Sequence, residues 1–469
     1  MDHQLGTEAR PARIAIIGAG PAAFYAAEAL LKQRDLVAAI DIFNRFPTPF
    51  GLVREGVAPD HQSIKAVTRV YDKILDHPRV RYFGNVTFGK DLQRDDLKRF
   101  YDQIIYAVGA QADRRMGIPG EDLSGSEPAT AFVGWYNGHP DYCSRVFDLS
   151  HERAVVVGNG NVAMDVARIL LTDPDELAKT DIADYALDAL RKSQVREVVM
   201  LGRRGPAQAA FTNAELKEFG ELAGVDVFVD PADLELDEAS AASLESNRIA
   251  KKNLEILREF SQHAPTGAPR RFVMRFLVSP VELVGRDGRV VAVRIERNRL
   301  VPDGRGGLKA EGTGVFEMLD AGLVLRSVGY RGVGLPGVPF DERAHVIPNA
   351  AGRVLDAPGG APLPGEYVVG WIKRGPTGVI GTNKPDAVET VAAMVADLAA
   401  LPGIPDDDRD PEKIVAVLRT RVPDLVELGG WKRLDAYEVK RGAAQGRPRV
   451  KVTTVAEMLD VIRNGQEPG

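Results

Sequence analysis

The sequence predicts an α/β fold built on two related strand–turn–helix units, and three observations lead there. Residues 13–17 and 154–157 are short, continuous apolar runs of the kind found in parallel strands buried on both faces. Each is followed at once by a glycine turn, Gly18-Ala19-Gly20-Pro21-Ala22-Ala23 and Gly158-Asn159-Gly160-Asn161-Val162-Ala163. Each turn opens onto an apolar helical stretch, reaching about residue 33 in the first unit and covering 164–171 in the second.

The chain has 469 residues, room for two to three domains at roughly 150 residues each. Hydrophobic residues make up 44% and charged residues 27%, so a large core can form without staples. Sixty Lys and Arg face 66 Asp and Glu, for a formal charge of −6, which excludes a global basic field for nucleic acid. Cys143 is the only cysteine, so an internal disulfide, a redox cysteine pair and a four-cysteine iron–sulfur site are all ruled out. The polar opening lacks the apolar core of a signal peptide, and the apolar stretch 14–31 is broken by Gly18, Gly20 and Pro21 and carries Glu28. A cytoplasmic protein without a membrane span is expected.

Along the chain, residues 37–43 make the second strand of the first unit, and 101–109 another buried strand ending in glycine. In the second unit a helical insertion rich in Asp, Leu and Ala precedes a strand over 197–201. Past residue 250 the signals turn antiparallel, with runs 271–283 and 290–300 joined through Asp287-Gly288 as a hairpin. Residues 323–329 repeat the strand-to-glycine pattern of 104–109 and suit a return crossing into the first domain. Segment 365–398 supplies one more strand and a long Ala-rich helix, and the last 70 or so residues read as helices without evident chemistry.

A glycine turn alone is a weak signal, but a strand before it and a helix after it mark a dinucleotide-binding fingerprint. The first glycine makes the tight turn, the second lets backbone approach a pyrophosphate, and the small third residue allows close helix packing. Unpaired N–H groups at the helix start then face the phosphates. Two copies imply two dinucleotides, most economically one flavin and one nicotinamide. Where the ribose carboxylate of an NAD site is expected, the second unit has Arg203 and Arg204, which suit the 2′-phosphate of NADP through charge-assisted hydrogen bonds. By elimination the first unit takes FAD. Its second strand ends at Asn44, which offers one amide oxygen to a ribose hydroxyl without charge; Asp41, by side-chain parity, faces the other side of the sheet. Glycines 375, 378 and 381, ahead of a long helix, let backbone come close to a flat ring and aim a positive helix end at it.

Ala-Pro-Asp-His at 58–61, Pro-Thr-Pro-Phe-Gly-Leu-Val-Arg at 47–54, Gly-Asn-Gly-Asn-Val-Ala at 158–163, Gly-Arg-Arg-Gly-Pro at 202–206 and Gly-Trp-Ile-Lys-Arg-Gly-Pro-Thr-Gly-Val-Ile-Gly-Thr-Asn at 370–383 resemble, in combination, the NADPH–ferredoxin reductases of adrenodoxin-reductase type. The likeness runs from about residue 13 to 386. It implies two Rossmann-like domains, the NADP domain (112–328) inserted in the FAD domain (1–111 and 329–469). It places FAD on Gly18, Gly20, Ala22, Asn44, Leu52, Val86, Trp371, Gly378, Val379 and Ile380. NADPH falls on Asn159, Gly160, Asn161, Val162, Arg203, Arg204, Glu215 and Gly378. Asn44 stands where the family usually has Glu. His61 and Glu218 fall near the flavin in the family; read plainly, His61 is a polar residue at a helix start capped by Asp60, and Glu215 and Glu218 are carboxylates on one helix face.

The reaction implied takes a hydride from NADPH and passes single electrons to a ferredoxin, an acidic partner met by local Lys and Arg. No metal site is expected; a monomer is expected as readily as any assembly, the sequence leaving the oligomeric state open. Two rivals share parts of this plan: a flavin-dependent NADPH monooxygenase, although the chain lacks the FxGxxxHxxx motif of one common class, and a non-enzymatic redox sensor. A disulfide reductase is excluded by the single cysteine.

Overall fold

A computed structural model describes residues 4–245, 247–304 and 306–465. Two parallel sheets carry the architecture. The first has eight strands, in the order Asn349–Ala350, Arg353–Leu355, Pro362–Val368, Gln103–Tyr106, Ala12–Ile17, Ala38–Phe43, Val80–Gly84 and Val426–Glu427. Its five central strands run parallel, and antiparallel neighbours close both edges. The second sheet has six strands, all parallel: Ser126–Pro128, Leu323–Arg326, Arg153–Val157, Glu197–Gly202, Arg270–Phe276 and Val225–Val229.

Alternation along each strand feeds two cores. Ile14 and Ile16 pack under the Pro21–Leu31 helix, whereas Ala15 and Ile17 face Phe43 and Tyr106 on the other side. Ala154 and Val156 likewise join the large core of the second unit, while Val155 and Val157 meet a three-stranded antiparallel sheet. That sheet comprises Val278–Arg286, Arg289–Pro302 and Leu308–Asp320, with Asp287 and Gly288 at φ +52° and +77° in the expected hairpin turn.

Two sequence expectations need correction here. The run 271–283 is not one antiparallel strand. It breaks at Leu277, which sits at φ +54°, so the first part pairs parallel inside the six-stranded sheet and only the second part enters the hairpin. Residues 323–329 do not cross into the first sheet; Leu323–Arg326 lies between Ser126–Pro128 and Arg153–Val157 in the second. The chain returns just afterwards, where Tyr330–Arg331 pairs antiparallel with Ala112–Asp113, the point at which it had left. The exposed strand Leu308–Asp320 has no clean alternation and gives no sequence signal.

The C-terminal segment, without evident chemistry in the sequence, holds the two units together. Within the first unit, Glu438 on the Leu428–Ala443 helix takes a buried bidentate ion pair from Arg54 at 2.8 and 2.6 Å, fixing the helix whose following stretch crosses to the second unit. Lys451 donates to the backbone carbonyls of Arg54 and Asn137 and lies 3.1 Å from Asp181, which Lys65 also grips at 2.7 Å. Two ammonium groups thus share one buried carboxylate. Burial drives Lys451 down to about 7, with Asp181 opposing the shift.

An unfolded lysine titrates near 10.4, so between about pH 7 and 10.4 the unfolded chain binds more protons at this position than the folded one. Stability should therefore gain from Lys451 as pH rises through that window, and Lys451→Met should flatten this part of the slope in urea unfolding series. The fingerprint glycines make a second test. Gly18 and Gly158, at φ +104° and +128°, would place a Cβ 2.5 and 2.2 Å from the carbonyl oxygens of Ala107 and Ser327; around Gly20 and Gly160 nothing lies within 4 Å of such an atom. Alanine at Gly18 or Gly158 should cost about 1–3 kcal/mol from backbone strain alone, before the clash is counted. At Gly20 or Gly160 it should leave unfolding midpoints nearly unchanged while weakening dinucleotide retention.

Candidate functional site

Both fingerprints end at a helix start made for anions. Gly20 and Gly160 are the N-caps of the Pro21–Leu31 and Asn161–Leu171 helices; neither has a side-chain cap, and neither helix has an acid in its first turn. The orphan N–H groups therefore face open space beside a glycine, which suits a pyrophosphate. Ala22 packs against Gly370, where a Cβ would come within 2.6 Å of its methyl, so the small third residue keeps the first helix against the 370–383 loop. In the second unit Asn161 accepts a hydrogen bond from the Thr212 amide at 2.9 Å and ties the fingerprint to the Asn213–Glu221 helix. Asn159 fills the space beside Gly202, and Val162 packs on the core.

Arg203 and Arg204 follow the Glu197–Gly202 strand. Arg203 is exposed, Arg204 is half-buried, and neither has an acidic partner among the described residues. Partial burial and the neighbouring Arg203 charge hold Arg204 below its ordinary value. Two adjacent, unneutralised guanidinium groups favour a bound dianion.

In the first unit Asn44 donates its amide nitrogen to the carbonyls of Phe46 and Thr48 at 3.2 and 2.8 Å, so it braces its own loop and keeps only the amide oxygen for a ligand. Asp41 lies on the opposite face, bound by Arg81 and Tyr101, as parity requires. Val86 is buried in the core and gives its N–H to the Asn44 carbonyl. Leu52 and Val379, by contrast, are large apolar side chains left 39% and 58% exposed, an arrangement that fits the face of a ring system. Trp371 packs on Tyr330 with centroids 5.3 Å apart and donates to the Thr377 carbonyl. Gly378, at φ +81°, lies where a Cβ would strike Thr382, whose hydroxyl accepts from Val379 N; a short 3₁₀ turn at Ile380–Thr382 then leads into the Asn383–Asp397 helix. Asp386 anchors the loop through Gly370 N, Lys373 and Arg374. Between this loop and the returning strand opens a cavity of about 490 Å³, bordered by Arg114, Tyr330, Lys373, Arg374 and Thr377 and by no acid. A larger groove of about 900 Å³ lies at the opposite, N-terminal ends of the second sheet's strands, away from both fingerprints.

His61 sits where the two units meet. Its Nε2 is 3.0 and 3.2 Å from the two Glu218 oxygens, and its Nδ1 lies 3.7 Å from Asp165 and 3.9 Å from Glu215. Burial alone would depress its pKa; the Glu218 carboxylate, with Asp165 and Glu215, overrides this and raises it. Burial and Asp165 push Glu215 well above the usual carboxylate range. Asp60 does not cap the Gln62–Lys65 helix: its N-cap is His61, without a side-chain bond, and Asp60 instead reaches Arg168 in the other unit at 2.7 Å. Glu215 and Glu218 are therefore not merely solvated carboxylates. Asp165 and Arg168 escaped the sequence reading, although charges three apart on an otherwise apolar helix were a usable signal. His61, Glu215 and Glu218 also bring ligand atoms within 4.8 Å of one another, but Arg168 already supplies positive charge to both glutamates.

Two open glycine cradles at helix starts, with an unneutralised arginine pair at the end of the strand next to the second, mark a two-dinucleotide oxidoreductase. The family model of the pyridine nucleotide-disulphide oxidoreductases matches residues 12–218. The chain is 50% identical over 464 residues to NADPH-ferredoxin reductase FprA of Mycobacterium tuberculosis, spanning 96% of this chain and 99% of that one. It is 40% identical to the mitochondrial NADPH:adrenodoxin oxidoreductase of Arabidopsis thaliana, over 97% of this chain and 96% of the relative. The solved structure of M. tuberculosis FprA in complex with NADPH superposes with a TM-score of 0.91 at 50% identity, covering 97% of this chain and all of that one. The chain belongs to the NADPH–ferredoxin reductases, a family of flavin-dependent enzymes.

The His61–Glu218 contact gives a pH test. Its contribution to holding the units together is complete below the ordinary histidine value near 6.5 and is lost as pH rises through the raised value of the folded protein. Glu218→Gln should move the His61 midpoint down, read by NMR of the imidazole resonances; an unmoved midpoint would show that the pair does not form in solution.

Proposed function

We propose that the chain takes a hydride from NADPH bound by the second unit, onto FAD bound by the first, and delivers the electrons singly to a ferredoxin-type iron–sulfur protein. The observation that carries this reading is a pair of open glycine cradles, one in each unit, with the unpaired Arg203 and Arg204 at the end of the strand next to the second. Residues 1–111 and 329–469 form the FAD-binding domain in this reading, and 112–328 the NADP-binding domain. Bound flavin would supply the exchange between two-electron and one-electron chemistry.

The chain's own residues bind, orient and balance charge. The Pro21–Leu31 helix start and Gly20 would take the flavin pyrophosphate, Asn44 a ribose hydroxyl, and Leu52, Trp371 and Gly378 to Ile380 the ring. Gly160 to Val162 would take the nicotinamide coenzyme's pyrophosphate, and Arg203 and Arg204 its 2′-phosphate. Each turnover leaves one proton behind when two electrons depart singly, and His61 with Glu218 is the pair in the cleft suited to hold it. The acceptor is an acidic ferredoxin, drawn to basic side chains at the cleft such as Arg114. Among the described residues no helix is long and apolar enough to cross a membrane.

Anaerobic titration with NADPH should bleach the flavin, and a ferredoxin added next should restore it without any organic substrate. Dependence on an organic substrate and dioxygen would instead favour a monooxygenase. Arg203→Ala and Arg204→Ala should each cost about 1.5–3 kcal/mol in kcat/KM for NADPH, the scale of a charged hydrogen bond, and far less for NADH. Equal losses with both coenzymes would make the pair structural.

A further inference from the structure

The cluster between the units contains one cation whose place neither hydride transfer nor coenzyme choice explains. Arg168 lies on the Asn161–Leu171 helix with its side chain only 3% exposed. Its Nε and Nη2 hold Asp60 at 2.7 and 3.1 Å, and Nη2 also donates to Asp165 at 2.7 Å. Its Nη1 lies 3.0 Å from Glu215 and 3.0 Å from Glu218. Asp165, Glu215 and Glu218 are also the three carboxylates around His61. Four acids from three segments thus converge on one guanidinium and share it with one imidazole.

We propose that Arg168 is the positioning residue of the redox centre, fixing the helix that starts at the NADP cradle against the His61 segment of the flavin side and holding Glu218 on the His61 ring. The inference rests on the functional reading above. Geometry supports it in two ways. The helix that carries Arg168 begins at Gly160, so the point where Arg168 meets Asp60 sets where the nicotinamide coenzyme lies relative to the flavin side. The guanidinium's five donors reach all four carboxylates, whereas a lysine's three cannot, so lysine is a poor substitute here. Without Arg168, four acids would face one another with a single histidine among them, and Glu218 would be driven off His61 or protonated.

The charge balance agrees. Burial pushes Asp165 and Glu215 up while Arg168 pulls both down, and the same guanidinium draws His61 down against Glu218. The groups facing this set are Asp60 and His61 from the flavin side, Asp165 on Arg168's own helix, and Glu215 and Glu218 on the Asn213–Glu221 helix. The phenols of Tyr136 and Tyr330 stand near enough to sense Asp165.

The test uses the FAD-loaded enzyme with Arg168→Gln, Arg168→Lys and Asp60→Asn. NADP⁺ affinity should change by less than about threefold, because Arg203 and Arg204 are untouched. Flavin reduction by NADPH, followed anaerobically in single turnover, should slow by about 10- to 100-fold in Arg168→Gln, the usual price of a misplaced reactant pair. Arg168→Lys should recover little of the rate, and Asp60→Asn should lose less in the same direction. The imidazole midpoint of His61, read by NMR on the oxidised protein, should move to lower pH in Arg168→Gln, as in Glu218→Gln, because Glu218 leaves the ring; a rise, the effect of losing the guanidinium charge alone, overturns the holding of Glu218. A folded Arg168→Gln variant with unchanged rate and unchanged His61 midpoint overturns the proposal, as does a slowed variant whose midpoint stays put, which would make Arg168 merely structural. Should Arg168→Gln lose its flavin, Asp60→Asn decides by the same two readouts. Failure of the parent enzyme to be reduced by NADPH would instead defeat the functional reading itself.

Discussion

The structure depends on one close approach, made twice. In each unit the first fingerprint glycine lies so near the carbonyl that ends the neighbouring strand that no side chain fits: Ala107 beneath Gly18, Ser327 beneath Gly158. That contact turns the chain sharply from strand to helix and brings the helix start to the C-terminal edge of the sheet, where its unpaired N–H groups face open space that a ligand's phosphates can fill. The parallel strands behind them, buried on both faces, hold them rigid.

What joins the units is ionic rather than apolar. Asp60 to Arg168, His61 to Glu218, and Lys65 with Lys451 to Asp181 all cross from one unit to the other, and all lie wholly or partly buried. Buried ion pairs add little net stability, because desolvation offsets most of the attraction, but breaking one partner leaves an uncompensated charge. Such a seam therefore specifies a single relative placement more than it strengthens the molecule. It also makes that placement sensitive to protonation, since His61, Glu215 and Lys451 are all displaced from their ordinary values.

Local chemistry made the cradles readable from the sequence. Apolar runs of five residues or so, glycines at fixed spacing and a following helix are short-range patterns, and the parity argument that turned Asp41 away from the site needed only the strand period. Two things were not readable. The run 271–283 looked continuous because its break is a single left-handed leucine, Leu277, which no composition rule marks. The seam joins residues more than a hundred positions apart, so Asp60 read as a cap and the C-terminal helices as filler. Family likeness named His61, Glu215 and Glu218, but Arg168 became visible only when four carboxylates were seen to meet on it.

The ribbon of Ala112–Asp113 and Tyr330–Arg331 has a further consequence. The chain departs and comes back through two strands lying side by side, so the covalent link between the first sheet and the whole excursion is no wider than a hairpin. Loop closure grows only slowly with length, and here the excursion's own folding already brings its ends together. The first fold thus tolerates its guest at almost no entropic charge. A twist in these four residues would swing one cradle past the other only by pulling apart the buried Asp60–Arg168, His61–Glu218 and Lys451–Asp181 pairs, so the seam and not the junction fixes how the cradles stand.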